Sequence, residues 1–422
     1  MHGLHPLTWV TKFMMKVKYL RHPIRTANVA KGMLAMRWNM WRFAAHGARR
    51  FRGDARYDLQ NVTDGFASRI DDSQNDGVLL ERICAAYIKA MEQQQFAQDT
   101  YKATEWWEQV RRRSLGPVTR ALRTRDIEAL RKMYRNFFRD PCSAGLLGVP
   151  YGMSNAYFGR TIKDVHRSFY LSHALYRIDY WMTQTDNRFA LRDLRGPEIG
   201  NPFGVLIDGT LVRVGADYAH YCARRIGGLV DSKKATVVEI GGGFGGMACY
   251  LLRDQRRVTY LNFDVPESIA LSSYYLLKAF PHLKFLLFGE QKLTKEAIDQ
   301  ADGVLMPVFE LVTIPDESID VTFSSHAMSD LSCRSMIEYF NHIARTTRGS
   351  FLHIGNDQAC KSISEMASRS NSLFRLAETR SSGWHSHKIS GAGVDGAAGL
   401  AVSTMFEQCY VRTTALRNKS AV

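Results

Sequence analysis

The sequence predicts an α/β protein, a doubly wound, Rossmann-like parallel sheet preceded by a mainly α-helical N-terminal domain. Three observations carry this. From residue 217 onward, short β-branched runs alternate with helical apolar periods, the pattern of strand–helix–strand units. One such run, Thr236-Val237-Val238-Glu239-Ile240, meets Gly241-Gly242-Gly243 and then Gly245-Gly246, a tight strand-to-helix turn where a Cβ would keep a ligand from the backbone. Before residue 195 the apolar spacing is largely helical. The expected division is a basic amphipathic helical segment over 1–60, a helical domain over 61–195 and the sheet domain over 196–422.

In chain order, Leu7, Val10, Phe13, Met14, Val17 and Leu20 follow helical spacing among Lys12, Lys16 and Lys18. Lysines interrupt this stretch too often for a secretory apolar core. A second segment, Ile24 to Phe51, sets Trp38, Trp41 and Phe43 among Arg37, Arg42, Arg49 and Arg50. Such a basic helix either packs inward or meets an anionic membrane surface or a partner helix. Asp54 to Gly77 reads as a loop; helices follow from Val78 to Glu108 and from Val118 to Phe138, ended by Asp140-Pro141. Trp106-Trp107 reads as a packed corner and Arg111 to Arg113 as a solvated face. Cys142 to Arg160, rich in Gly, Pro and aromatics, is a loop able to line a pocket. A helix over Ile162 to Asn187 and a turn-rich junction from Arg195 to Gly209 lead into the sheet domain.

There the helix Asp217–Ile226 precedes the Thr236 strand, and Thr259 to Asp264 forms the next. The helix Ser268–Ala279 follows, then strands at Lys284–Phe288, Gly303–Met306 and Val321–Ser325. The helix Cys333–Thr346, the strand Ser350–Gly355, a Gly-rich loop and the strand Ser403–Arg412 complete the pattern. A ligand belongs beyond the carboxyl ends of such strands, where the strand order switches.

Composition narrows the class. The 422 residues hold 56 Lys and Arg against 41 Asp and Glu, a net charge of +15 that suggests an anionic partner or surface. Seven cysteines are scattered without a C-x-x-C, which fits reduced residues of a cytoplasmic protein and no zinc site. No His/Asp/Glu spacing forms a metal motif, and no recognised nucleic-acid module accompanies the charge, so nucleic acid is not the expected partner.

The glycine run admits two nucleotide readings. Gly241, Gly243 and Gly246 fit the G-x-G-x-x-G dinucleotide fingerprint of NAD-dependent oxidoreductases. Glu239, Gly241, Gly243 and Gly245 also fit E-x-G-x-G-x-G, similar to the first motif of class I S-adenosylmethionine methyltransferases. A carboxylate at 239 has a role near the ammonium of the methionine moiety, whereas beside a pyrophosphate it would repel. Asp264, about 20 residues past the glycines, suits a ribose diol in either cofactor and also reads as a helix cap before Pro266. At the carboxyl end of the strand Val321–Ser325 stands His326, able to take a proton from an attacking hydroxyl, with Asp330 placed to orient it. His353 and Asn356 end the next strand and form the second group.

Together these residues resemble a bacterial family of sugar O-methyltransferases. The resemblance rests on Val237 to Gly246, on Asp264-Val265-Pro266-Glu267 followed by Tyr274-Tyr275-Leu276, and on Ser325 to Asp330, where Asp330 replaces a Glu and the Met is shifted. Tyr339-Phe340, Ile343-Ala344-Arg345, Asn356 and Gly200-Asn201-Pro202 extend it over about residues 195 to 412. It implies a class I methyltransferase fold and S-adenosylmethionine held by Glu239, Gly241, Gly243, Gly245, Asp264 and Ser325. It also implies a carbohydrate acceptor (a nucleotide sugar, a lipid-linked glycan or a surface glycan) met by Asn201, His353 and Asn356, with catalysis by His326 and Asp330. Mg²⁺ assistance and a homo-oligomer stay open, as do an NAD-dependent oxidoreductase, an RNA methyltransferase and a non-catalytic scaffold. The implied location is cytoplasmic; whether the basic N-terminal helices also hold the chain at the inner face of a membrane, or against a glycan-assembly enzyme, stays open.

Overall fold

The structure, a computed structural model, describes residues 23–71, 76–147, 163–230, 234–255, 257–369, 372–384 and 405–413. The expected helix over 7–20, most of the loop over 142–160 and the Gly-rich loop before residue 405 lie outside these residues. Among them the helices are α1 (Pro23–Arg50), α2 (Gln60–Gly65), α3 (Gly77–Gln94), α4 (Glu105–Val110), α5 (Gly116–Thr124), α6 (Ile127–Tyr134) and α7 (Asp164–Gln184) in the N-terminal part. The sheet part adds α8 (Ala216–Gly227), α9 (Gly246–Asp254), α10 (Pro266–Ala279), α11 (Lys295–Asp299), α12 (Cys333–Thr346) and α13 (Asp357–Ala367).

Two strands, β1 (Gly204–Ile207) and β2 (Thr210–Arg213), form an antiparallel hairpin where only a turn-rich junction was expected. Its turn, Asp208-Gly209, takes positive φ at both residues (48° and 69°), as a two-residue hairpin loop demands. The main sheet comprises β3 (Ala235–Ile240), β4 (Val258–Asp264), β5 (Phe285–Leu287), β6 (Gly303–Pro307), β7 (Ile319–Ser325), β8 (Thr347–Asn356), β9 (Phe374–Ser382) and β10 (Met405–Arg412). Their order is β5-β6-β4-β3-β7-β8-β10-β9. The six strands from β5 to β8 are parallel, which makes this a doubly wound, Rossmann-like sheet. The expectation of an all-parallel sheet needs one correction: β10 runs antiparallel between β8 and β9. Strand β9 was not foreseen either. It is an edge strand carrying Arg375, Glu378 and Arg380, charges that protect an edge and erase the apolar alternation that marks a strand.

Strands β3, β4, β6 and β7 are buried along most of their length, as strands covered on both faces are. Successive strands leave β3 to opposite sides, β4 on one and β7 on the other, and the crevice beyond their carboxyl ends is the natural ligand site.

The helical part shares its core with the sheet part. Helix α10 begins with Pro266 at its first turn and is buried from Pro266 through Leu276. Two buried carboxylates tie it to the N-terminal helices. Asp76, ahead of α3, accepts from Arg131 Nε (2.7 Å) and Tyr274 Oη (3.1 Å), with Arg135 and Lys278 at 3.5 and 3.6 Å. Glu267 accepts from Trp107 Nε1 (2.6 Å) and from Arg111, whose Nη2 lies 3.0 Å away. Arg111 is therefore an internal ion-pair partner rather than part of a solvated face. Among the described residues, no helix is long and apolar enough to cross a membrane.

Replacing Glu267 by Ala would leave the Trp107 indole N–H and the Arg111 guanidinium without their buried acceptor. The expected loss is about 3 kcal/mol of unfolding free energy in urea. A loss near zero would show that apolar packing alone holds α4 against α10.

Candidate functional site

At the end of β3 the chain needs three left-handed residues in five: Gly241, Gly243 and Gly245 have φ of 79°, 58° and 89°. Only glycine takes these without strain. Space forbids a side chain as well, since a Cβ on Gly241 would lie 2.1 Å from that of Ala327. The loop is held from the neighbouring strand. Gly241 N–H donates to the Phe263 carbonyl (2.9 Å), Gly242 N–H to Asn262 Oδ1 (3.2 Å) and Gly243 N–H to Asp264 Oδ2 (2.9 Å). Asp264 also accepts from Val265 N–H (2.7 Å), and Ser268 Oγ lies 2.5 Å from its Oδ2. Burial pushes the Asp264 carboxyl up to about 6 against these hydrogen bonds. Val265 holds the N-cap position before Pro266 with no side-chain cap, so Asp264 does not sit at the cap considered for it.

Gly241, Gly243, Asp264, Ser325, His326 and Asp330 line one cavity of about 220 Å³. Ser325 shares a 2.7 Å hydrogen bond with the Tyr218 hydroxyl. His326 adopts φ 65°, an uncommon conformation for a side chain of this size, and its N–H donates to the Ile354 carbonyl at 2.8 Å. Burial drops its imidazole to about 4, so the ring is neutral at ordinary pH and a weaker base than a free imidazole. The expected His326–Asp330 hydrogen bond is not formed: Asp330 sits exposed at the cavity, one short 3₁₀ turn beyond His326. Its carboxyl is raised by partial burial alone.

Other sequence-predicted residues stand elsewhere. Glu239 lies beneath the glycine loop and is not on the cavity wall. Its carboxylate accepts from Tyr260 Oη (2.5 Å) and is pushed up to about 7, chiefly by burial. The three expected substrate contacts are likewise not among the residues that line the cavity. Asn201 spends its carboxamide inside the protein, Oδ1 accepting from Arg69 N–H and Nδ2 donating to Asn136 Oδ1, both at 2.8 Å. Asn356 caps α13 through Ala359 N–H (2.8 Å). His353 is fully buried with neither ring nitrogen hydrogen-bonded, and burial plus neighbouring His326 lowers it to about 3.

The opposite wall comes from the helical part and was missed. Tyr101, Lys102, Thr104, Trp106 and Trp107 line it, so the pair expected to be a packed corner faces the cavity. Trp107 is buried, whereas Trp106 keeps 49% of its surface exposed. Two adjacent tryptophans were the available signal, but nothing local says that the corner they pack meets a cavity. Among the described residues no group of three or more His, Cys, Asp or Glu side chains is placed to hold a metal ion.

No family model matches the chain, and no curated protein matches it. Solved structures similar to it include a magnesium protoporphyrin IX methyltransferase from Synechocystis PCC 6803 with bound S-adenosylmethionine. It is 8% identical, with 64% of this chain and 95% of that chain covered and a TM-score of 0.33. An S-adenosylmethionine-dependent methyltransferase from Aquifex aeolicus is 12% identical, covering 45% and 88% at a TM-score of 0.29. A tRNA (uracil-54, C5)-methyltransferase from Pyrococcus abyssi in complex with S-adenosylhomocysteine is 12% identical, covering 46% and 38% at a TM-score of 0.29. Likeness of this degree carries no argument about activity, and the fold rests on the strand order and register given above.

The raised Glu239 carboxyl has a consequence for stability. In the unfolded chain it ionises near 4.5, in the folded chain near 7, so between these values the folded state holds the extra proton. Wild-type stability should therefore fall, relative to Glu239→Gln, as pH rises from about 5 to about 7. Urea midpoints across that range check it, and a constant gap between the two proteins would show that Glu239 ionises normally.

Proposed function

We propose that the cavity binds S-adenosylmethionine and that the chain transfers its methyl group to a carbohydrate hydroxyl. The observation that carries this reading is the joining of the glycine loop, the Asp264 carboxylate and His326 in one cavity at the strand ends. Gly241 and Gly243 line the cavity with bare backbone, and a Cβ at either position would press on Ala327 or the Leu146 carbonyl. Asp264 uses part of its acceptor capacity on the loop, and a carboxylate with about four lone-pair sites keeps room for a ribose hydroxyl. Val265 and Val308 add apolar surface that suits an adenine ring. Glu239, below the loop, would act on the methionine ammonium through the backbone it supports rather than by direct contact.

Bound there, the cofactor would supply an electrophilic methyl group on a positively charged sulfonium. The protein's part is to hold an acceptor oxygen in line and to take its proton. A neutral His326 on the cavity wall is suited to the second task, and its strained backbone aims the ring from the end of β7. The exposed face of Trp106 suits stacking against a sugar ring, and the resemblance over residues 195 to 412 points the same way.

His326→Ala should lose turnover by about 100-fold or more while S-adenosylhomocysteine affinity stays within a small factor of wild type. Near-normal turnover removes His326 from the role. Calorimetry should show S-adenosylhomocysteine binding and no NADH binding; the reverse makes the chain an oxidoreductase. Mass spectrometry of surface glycans from cells with and without the protein should differ by one methyl on one sugar, and identical spectra would refute the carbohydrate acceptor.

A further inference from the structure

We infer that α1 docks the chain on an anionic phospholipid surface through an outward stripe of Leu34, Trp38 and Trp41. The helix has two unlike sides. At about 3.6 residues per turn, Phe43 and Gly47 lie opposite the line through those three residues. The Phe43 side is packed inward, its ring 5.1 Å from Phe169 and 5.9 Å from Tyr176. Gly47 approaches α7 so closely that a Cβ there would come 1.9 Å from Ser172 Oγ.

Among the described residues, none covers the other side. Leu34, Trp38 and Trp41 keep 67%, 59% and 54% of their surface exposed. Spacings of four and three put them in one line, and the two indoles stack on each other at 5.3 Å. Three large apolar side chains in one exposed row mark a contact surface. Lys31, Arg37 and Arg42, all exposed, flank the row. The helix carries six Lys and Arg and no acidic residue. Its charge is also segregated along the chain. The first acid is Asp54, and eleven of the 56 basic residues precede it.

Charge selects the occupant. A second copy of α1 would set cation against cation. A nucleic-acid strand would take the arginines but leave Leu34 uncovered, and indoles stacked on each other leave no slot for a base. An anionic bilayer interface satisfies both sets at once. The indoles and the leucine enter the headgroup boundary, and the flanking cations meet lipid phosphates.

Flotation with vesicles of phosphatidylcholine alone and of phosphatidylcholine mixed with phosphatidylglycerol tests this on the full chain. Binding is expected to the mixed vesicles only, to weaken with salt, and to shift indole emission to the blue. W38S/W41S should abolish the emission shift and weaken binding about tenfold or more. R37Q/R42Q should weaken it roughly tenfold or more. All four side chains project outward, so melting temperatures of both variants should match wild type. Equal or absent binding on the two vesicle types overturns the inference, as does W38S/W41S binding like wild type. A polyribonucleotide bound more tightly than the vesicles and weakened by W38S/W41S assigns the stripe to nucleic acid. A wild-type dimer that W38S/W41S converts to monomer assigns it to a second copy.

Discussion

The geometry of the site depends on one carboxylate. Asp264 ends β4, and the parallel register that sets Ile240 beside Phe263 brings it next to the glycine loop. A loop with three left-handed glycines loses much conformational freedom on folding and needs fixed partners for its N–H groups. Asp264 supplies one to Gly243 and Asn262 another to Gly242, both from the same strand. A register slip of one residue would turn both side chains to the other face and release the loop. The same carboxylate is the acceptor proposed for a ribose, so loop shape and ligand contact share an atom group.

The helical part is the second wall of the site as well as a covering of the sheet. Helix α10 follows Asp264 directly, and its first turn carries Glu267, whose carboxylate holds Trp107 and Arg111. The contact that docks the helices thus sets the indole of Trp107 against the cavity. Asp76 repeats the arrangement further along α10, through Tyr274 and Lys278. Buried carboxylates of this kind stabilise little beyond an apolar equivalent, yet they specify one docking geometry, because a shifted helix would strand a charge.

Burial sets the chemistry of the polar groups around the glycine loop. His326 is lowered and Glu239 and Asp264 are raised, each mainly because the charged form loses water. Loss of water keeps the imidazole uncharged and makes it a weaker base than a free one. His353, buried behind it with both ring nitrogens idle, repeats the pattern where no ligand reaches.

The strand Thr236 to Ile240, its glycines and the acid at 264 were legible because their chemistry is local: a β-branched run, a turn only glycine can make, and a carboxylate one strand later. The same holds for His326 at a strand end. Asn201, His353 and Asn356 looked equally chemical, yet the fold spends the first on Arg69 and Asn136 and the third on a helix cap, and buries the second. The sequence by itself determined the parallel core and the loop, since backbone propensity and burial pattern act over a few residues. Only the tertiary structure decided which polar side chains face the cavity, that Trp106 and Trp107 complete it, and which side of α1 is left uncovered. The docking of Trp107 and of α1 depends on contacts between segments 100 or more residues apart, for which a single sequence holds no periodic signal.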